Sequence, residues 1–470
     1  MTARTLEAVA SATGGVVHPA DAARLTYKGV AVDSRKIGAG DLFVAISGEH
    51  GDGHRYVSVA REAGAVAAIV ERGVPAESEG PTVEVGDTRA ALLDLARAVR
   101  SSLSATVIGI TGSTGKTCTK DFTAAVLRER LRVVASPASF NNEIGLPLTI
   151  LEATPDTEAI VCEMGARGPG HIRLLCDVAQ PQIGVVTNVG VAHMELFGSP
   201  AVLRAAKAEL PESLPETGVA VLNADDGVVR GYASRTAARA VFFGQSPEAD
   251  IHAEGVSVDR ETGRATFELV SPGGSARVTL PVPGEHMVAN ALAATAVGWA
   301  LDVDVEAAAR GLSNATVSGG RMEVVRAPSG IRVINDAYNA NPTSMAAALK
   351  AARWMAGDGR CIAVLGTMAE LGPIATEEHE RIGELVVRLG IDSLITVGPE
   401  ARIIAGAAQR EGLEAHRIVI CDDVPEAVAA VRGLARSGDL VLVKASRAAG
   451  LERVADALTS NETPLEASAT

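Results

Sequence analysis

Residues 106–127 read TVIGITGSTGKTCTKDFTAAVL, and the reading of this stretch decides the fold. A β-branched run gives way to a Gly-containing loop and then to a segment with apolar residues at helical spacing, so strand, loop and helix follow in that order. Backbone amides from Gly112 through Ser113, Thr114 and Gly115 to Lys116 can surround a phosphate. Lys116 can reach the β and γ oxygens, and the Thr117 hydroxyl can ligate magnesium. The first turn of the helix, through Cys118, adds the positive end of the helix dipole. Ile110 stands where a strict GxxxxGK[ST] pattern has its first Gly, and the competing reading is a flexible Gly/Ser turn. The order of strand, loop and helix favours the phosphate loop.

Outward from this stretch, short apolar runs alternate with Ala-rich helical segments, the pattern of an α/β fold with a mainly parallel sheet. AIVCEMG, IGVVTN, CIAVLG, SLITVG and LVLVKAS are the clearest further strands. Before Thr106 the chain carries its own pattern, VDSRKIGAGDLFVAISGEHGDGHRY followed by a helix and AVAAIV, which reads as a separate N-terminal unit. Between about Asp250 and Pro283, alternation around the turn signals DRETG and SPGG predicts antiparallel hairpins added to the central sheet. Helical spacing resumes at Val288, and the break Ser318-Gly319-Gly320 is the best second boundary. The expected division is therefore 1–86, 87–317 and 318–470, with a frayed tail after Ser460.

A length of 470 residues exceeds what one core organises, at about 150 residues per domain. Only 3% of residues are aromatic and 48 are Gly, so the cores must be built from Ala, Val, Leu and Ile between tight turns. A formal net charge of -14 argues against nucleic acid as a partner, because phosphate binding over a broad face needs a cationic surface. Five scattered cysteines without a CxxC pair read as small buried thiols. The first residues lack a basic region followed by a long apolar run, and no stretch approaches the roughly 18 apolar residues of a membrane span, so the expectation is a cytoplasmic protein.

Beyond the loop, chemistry-bearing residues stand at strand ends. Glu163 closes AIVCEMG, where a carboxylate can hold magnesium, and His193 follows IGVVTN. A lone His is more often structural than a ligand; nearness to Lys116 and Glu163 would reverse that. Lys207, in LRAAKAELPESL, reads by itself as the solvated face of a helix.

TGSTGKT, CEMGA, TNVGVAHMELFGS, AAKAEL, LNADD, PGEHMVANALAA, SGGRMEV and NDAYNANPTSM occur in the order found in Mur ligases, and the chain resembles that family nearly end to end. The resemblance implies three domains: one for a UDP-muramoyl substrate, a central ATPase domain and a Rossmann-like C-terminal domain that closes over ATP and the incoming amine. Lys116 and Thr117 then resemble the binders of the ATP phosphates and first magnesium, Glu163 its carboxylate, and His193 the ligand of a second magnesium. Lys207 stands where the family carries a carbamylated lysine. Asn290 resembles the adenine-side Asn, Asp336, Tyr338 and Asn339 the C-terminal nucleotide contacts, and Arg321 the arginine that reaches the phosphates.

On the substrate side, Asn141 and Asn142 resemble muramoyl-peptide contacts, although SFNNEIGLP alone reads as a capped turn before a Pro. Ser34 and Arg35 resemble UDP contacts, against an exposed turn. Ser446 and Arg447 are candidates for gripping the carboxylate of D-alanyl-D-alanine, since a guanidinium binds it bidentately. Met287 and Ala445 depart from the Asn and Gly that the family often has there. The resemblance implies a monomeric ligase of peptidoglycan synthesis that joins D-alanyl-D-alanine to UDP-N-acetylmuramoyl-tripeptide. The alternatives are the ligase adding the third amino acid, which typically has Arg after the Asn-Pro pair where Thr343 stands, and a folylpolyglutamate synthase, which lacks a comparable UDP domain.

Overall fold

The computed structural model describes residues 4–48, 51–73, 80–190 and 194–460. Its fold is α/β, with three main sheets that follow one another along the chain. The first lies within residues 16–85; Val30–Ala31, Leu42–Val44, Ala67–Glu71 and Thr82–Val85 run parallel, and Val16–His18 joins one edge antiparallel.

The second sheet has nine strands, and Thr106–Thr111 lies inside it between Ala159–Glu163 and Ile183–Val186, parallel to both. After Thr106–Thr111 the chain first builds Val133–Ala135 at one edge, returns to Ala159–Glu163, then crosses to the other side with Ile183–Val186, Val219–Asn223 and Arg239–Gly244. The strand order thus reverses around Thr106–Thr111, and a crevice opens at the carboxyl end of such a strand.

Side chains alternate across this strand, so both faces need cover. Ile108 and Ile110 join the core of the phosphate-loop helix Lys116–Arg128, through Cys118, Phe122 and Val126, and of the helix Met287–Ala300. Val107 joins the opposite core, with Leu146, Ile172 and Leu210 from three other helices. Gly109 faces the second side, where an added Cβ would stand 3.0 Å from Leu210 Cδ1 and from Met164 Sδ, so only Gly lets those side chains come so near.

The expected hairpins are present as Ile251–Val258, Arg264–Ser271 and Gly274–Pro283, antiparallel to one another and attached to the sheet through Arg239–Gly244. The first hairpin reaches the C-terminal part of the chain. Trp354 Nε1 donates to Val258 O at 3.2 Å, Arg332 Nη1 to Glu261 O at 3.0 Å, and the Arg260 guanidinium stacks 5.2 Å from the Trp354 ring centroid.

The third sheet places Arg332–Asn335, Leu440–Lys444, Cys361–Gly366, Ser393–Val397 and Ile418–Cys421 in parallel, a Rossmann-like arrangement, with Glu323–Arg326 antiparallel at one edge. Its helix Pro342–Ala356 starts on a capping box at Asn341 with Pro in the first turn, and buries Met345, Leu349 and Ala352 in the same apolar cluster as Ile108 and Phe122. The two larger parts therefore share a core. All five cysteines are free and buried, as the scattered pattern suggested. The tail after Ser460 lies outside the described residues.

Candidate active site

The phosphate loop is held open by two glycines and two neighbouring side chains. Gly112 and Gly115 have φ of 149° and 80°, and an added Cβ would come within 1.9 Å of Thr187 Oγ1 at the first and 2.3 Å of Asn290 Oδ1 at the second. Thr187 Oγ1 donates to Thr114 O at 2.6 Å. Asn188 Oδ1 accepts from Thr114 N at 2.9 Å, while its Nδ2 donates to Thr114 Oγ1 at 2.7 Å. Lys116 Nζ folds back onto Gly112 O at 2.7 Å, which places the ammonium over the loop where a phosphate would sit. Ser113 and Cys118 complete this wall, and Asn290 closes it at Gly115, accepting from Thr119 Oγ1 at 3.2 Å.

Thr117 and Glu163 meet below the loop: the hydroxyl donates to Glu163 Oε2 at 2.7 Å, and Asn141 Nδ2 donates to Oε1 at 2.8 Å. A hydroxyl beside a carboxylate, both hard oxygen donors, fits a magnesium ion that takes its remaining ligands from phosphate and water. Among the described residues no group of three or more His, Cys, Asp or Glu could hold a metal by itself. His193 lies outside the described residues.

Lys207 departs from the solvated helix face that its segment suggests. The helix Pro200–Glu212 buries Leu203, Ala206, Lys207 and Leu210, so the lysine sits on the apolar stripe at 1% exposure, its Nζ 3.4 Å from Thr111 Oγ1. Burial pushes its pKa well below the usual lysine value and the Lys116 charge lowers it further, against an opposite pull from Glu163 and Glu209. Burial therefore works against the charged ammonium at this point.

A cleft of about 680 Å³ collects these groups together with residues of the C-terminal part: Arg321, Asp336, Tyr338, Asn339, Ser446 and Arg447. The Arg321 guanidinium lies 4.1 Å from the centroid of the Tyr338 ring and that of Arg447 at 5.0 Å, so one aromatic ring orders two cations. Arg321 Nη2 donates to Ser139 Oγ at 2.9 Å across the cleft, while its Nε is buried without a hydrogen-bond partner among the described residues. An anion suits such a donor.

Four of the sequence candidates stand elsewhere or are engaged otherwise. Ser34 and Arg35 lie on a short 3-10 turn outside this cleft, where Arg35 pairs with Asp33 through two bonds of 2.9 Å and holds its carboxyl down at about 2. Ser446 Oγ accepts from Ala369 N at 2.9 Å and gives its proton to Ala340 O at 3.3 Å, so it shapes the turn that presents Arg447, which is exposed. Asn142 lines the cleft and also caps a turn, accepting from Gly145 N at 2.9 Å.

Several cleft residues were not picked from the sequence. Asn188 and Lys444 each stand at the carboxyl end of a parallel strand, the position that could have singled them out. Lys444 Nζ pairs with Asp336 Oδ2 at 2.5 Å and donates to Asn339 O at 3.1 Å, which fixes two of the expected nucleotide contacts. His286 also lines the cleft, and burial lowers its pKa. Ser139 had no signal beyond its place before Asn141.

Comparisons with known proteins agree with this geometry. Family models match residues 26–100 (Mur ligase family, catalytic domain), 110–298 (Mur ligase middle domain) and 320–447 (Mur ligase, glutamate ligase domain). The chain is 44% identical to UDP-N-acetylmuramoyl-tripeptide--D-alanyl-D-alanine ligase of Mycobacterium tuberculosis, over 98% of each chain. Among solved structures, MurF from Acinetobacter baumannii is similar at a TM-score of 0.86 and 29% identity, covering 98% of this chain and 99% of that one. MurF ligase from Thermotoga maritima in complex with ADP is similar at 0.78 and 30% identity, over 92% and 97%. A phosphate loop facing a buried lysine and a second, Rossmann-like lobe, matched along nearly the whole length, makes the chain a member of the Mur ligase family.

Proposed function

We propose that this chain is an ATP-dependent ligase that joins D-alanyl-D-alanine to UDP-N-acetylmuramoyl-tripeptide. The observation that carries the reading is the single cleft in which Lys116, Thr117, Glu163 and Lys207 face Arg321, Tyr338 and Arg447. The names of the full-length relatives support the substrate pair.

A carboxylate oxygen is a poor leaving group, so the acceptor carboxylate must first take the γ-phosphoryl group of ATP. That step needs positioning and charge neutralisation more than covalent help. Lys116 lies where it meets the β and γ oxygens, and Arg321 reaches the same phosphates from the other lobe. Thr117 and Glu163 would hold a magnesium ion, which would add to this charge neutralisation. Lys207 as a neutral amine can add carbon dioxide and release a proton, giving a carbamate anion that suits a magnesium ion; His193 belongs to the second ion in this reading.

ADP leaves the acyl phosphate in place, the dipeptide amine attacks its carbonyl carbon, and the tetrahedral adduct collapses with loss of phosphate. Arg447 grips the dipeptide carboxylate, Asn141 and Asn142 the muramoyl peptide, and Ser34 and Arg35 the UDP end. Asn290 lies on the adenine side, with Asp336, Tyr338 and Asn339 across from it. The docked C-terminal lobe excludes water that would hydrolyse the acyl phosphate. Among the described residues no helix is long and apolar enough to cross a membrane, and we place the reaction in the cytoplasm, by a monomer.

Phosphate release from ATP with UDP-N-acetylmuramoyl-tripeptide, and in parallel with the corresponding dipeptide, while the amine donor is varied, tests the reading. Stimulation by D-alanyl-D-alanine is expected; stimulation by a single diamino acid with the dipeptide acceptor would replace it with the ligase one step earlier.

A further inference from the structure

Ser139 joins three parts of the cleft. Its hydroxyl oxygen accepts from Arg321 Nη2 at 2.9 Å and lies 3.1 Å from Thr117 Oγ1. Thr117 gives its own proton to Glu163 Oε2 at 2.7 Å, since a carboxylate only accepts. Thr117 Oγ1 must then accept from Ser139, so every donor from Arg321 to Glu163 points the same way, from a cation to a carboxylate. Such a chain is stronger than separate bonds.

A divalent cation at Thr117 and Glu163 changes the direction of the hydrogen bonds. Both oxygens become ligands, so the Thr117 proton must leave Glu163 for another acceptor. Ser139 Oγ is at hand: it accepts the Thr117 hydrogen on one lone pair, keeps Arg321 on the other, and turns its own O–H into the cleft that it lines.

The placement of Ser139 is itself over-determined. Ala138 before it has φ of 47°, a left-handed conformation that a Cβ-bearing residue holds only under constraint. The constraint is Lys120, at 2% exposure on the phosphate-loop helix, whose Nζ donates to Ser136 O at 2.7 Å and Ala138 O at 2.9 Å. Lys120 also pairs with Asp121 Oδ1 at 2.8 Å, and Asp121 Oδ2 accepts from Ser318 N at 2.8 Å in the connection to the C-terminal lobe. One buried ion pair therefore locates both the Ser139 loop and that connection.

We propose that Ser139 is a positioning residue that turns the Thr117 hydroxyl toward a divalent cation when Arg321 docks. The inference rests on the reading of Thr117 and Glu163 as the magnesium pair. Loss of a group that orients a ligand typically weakens metal affinity about 10- to 100-fold.

The test is binding of a fluorescent ATP analogue to the full chain at varied magnesium, followed by turnover in the same variants. Ser139→Ala is expected to raise the magnesium concentration for half-maximal binding about tenfold or more, with metal-free nucleotide binding and the acceptor KM at saturating magnesium unchanged. Ser139→Thr, which keeps the hydroxyl, should restore the wild-type midpoint. Thr117→Ala separates the two ideas: if it loses magnesium dependence while Ser139→Ala keeps the wild-type midpoint, the inference falls alone. If Thr117→Ala also keeps the wild-type midpoint, the metal assignment falls with it.

Discussion

Among the described residues Lys207 Nζ has one hydrogen-bond contact, a long one of 3.4 Å to Thr111 Oγ1, in a setting that disfavours its charge. An unfolded chain would hold that proton up to the ordinary lysine pKa of about 10.4, whereas the folded one releases it earlier. Between the two values the unfolded state binds more protons, so wild-type stability should rise with pH in that window. Lys207→Met, measured by thermal unfolding in bicarbonate-free buffer, should be at least as stable as wild type near neutral pH, flatten the rise and abolish ligation. A steeper rise in the mutant would contradict the burial argument. Carbon-13 bicarbonate should give a carbamate resonance in the wild type that the mutant lacks. For Lys116, which among the described residues donates only to loop carbonyls, Lys116→Ala should leave the fold intact and lower turnover by several orders of magnitude; full activity in a folded mutant would falsify the phosphate-loop assignment.

At the scale of elements, the site depends on a strand, a loop and a helix being held against their neighbours. Gly112→Ala should disrupt the loop, because a φ of 149° and a 1.9 Å approach to Thr187 Oγ1 leave no room for a methyl group. A loss of nucleotide affinity of tenfold or more in a still folded protein is expected by calorimetry. Phe122→Ala lies one layer deeper and should mainly lower stability, by about 3–5 kcal/mol in a denaturant titration.

These elements were legible because strand, loop and helix occupy one continuous stretch, and because the parallel strands are uninterrupted apolar runs. Lys207 was legible as a site residue only through resemblance. Its spacing from Leu203 and Leu210 nevertheless places it on the buried stripe, a signal that a polar side chain obscures. Ser139, Asn188, His286 and Lys444 meet only in three dimensions, on segments separated by long stretches of chain, and local patterns do not encode such encounters.

At the scale of the molecule, the expected nucleotide contacts lie on both sides of the break at Ser318-Gly320. Bound nucleotide therefore has contacts with the docked lobe that it lacks with an open one, and can shift the balance between them by that difference. Small-angle scattering should show compaction with a non-hydrolysable ATP analogue and the UDP substrate together; unchanged dimensions in that mixture would rule the shift out.

The hairpin that meets Trp354 adds a restriction on this motion. Besides the shared apolar core and the Arg321–Ser139 bond, the C-terminal lobe meets the central one at the covalent connection near Ser318 and at the turn carrying Arg260 and Glu261. If these last two stay in place while the cleft contacts part, they act as pins, and a rigid body pinned at two points retains one of its six degrees of freedom, a swing about the line between them. The chain has two tryptophans, so Trp299→Phe leaves Trp354 as the reporter at the second pin. Its emission should stay constant through a nucleotide titration that closes the cleft. The lobe would then behave as a door hung at its top and bottom, and its arc would carry Arg321 and Arg447 to the same place on every turnover.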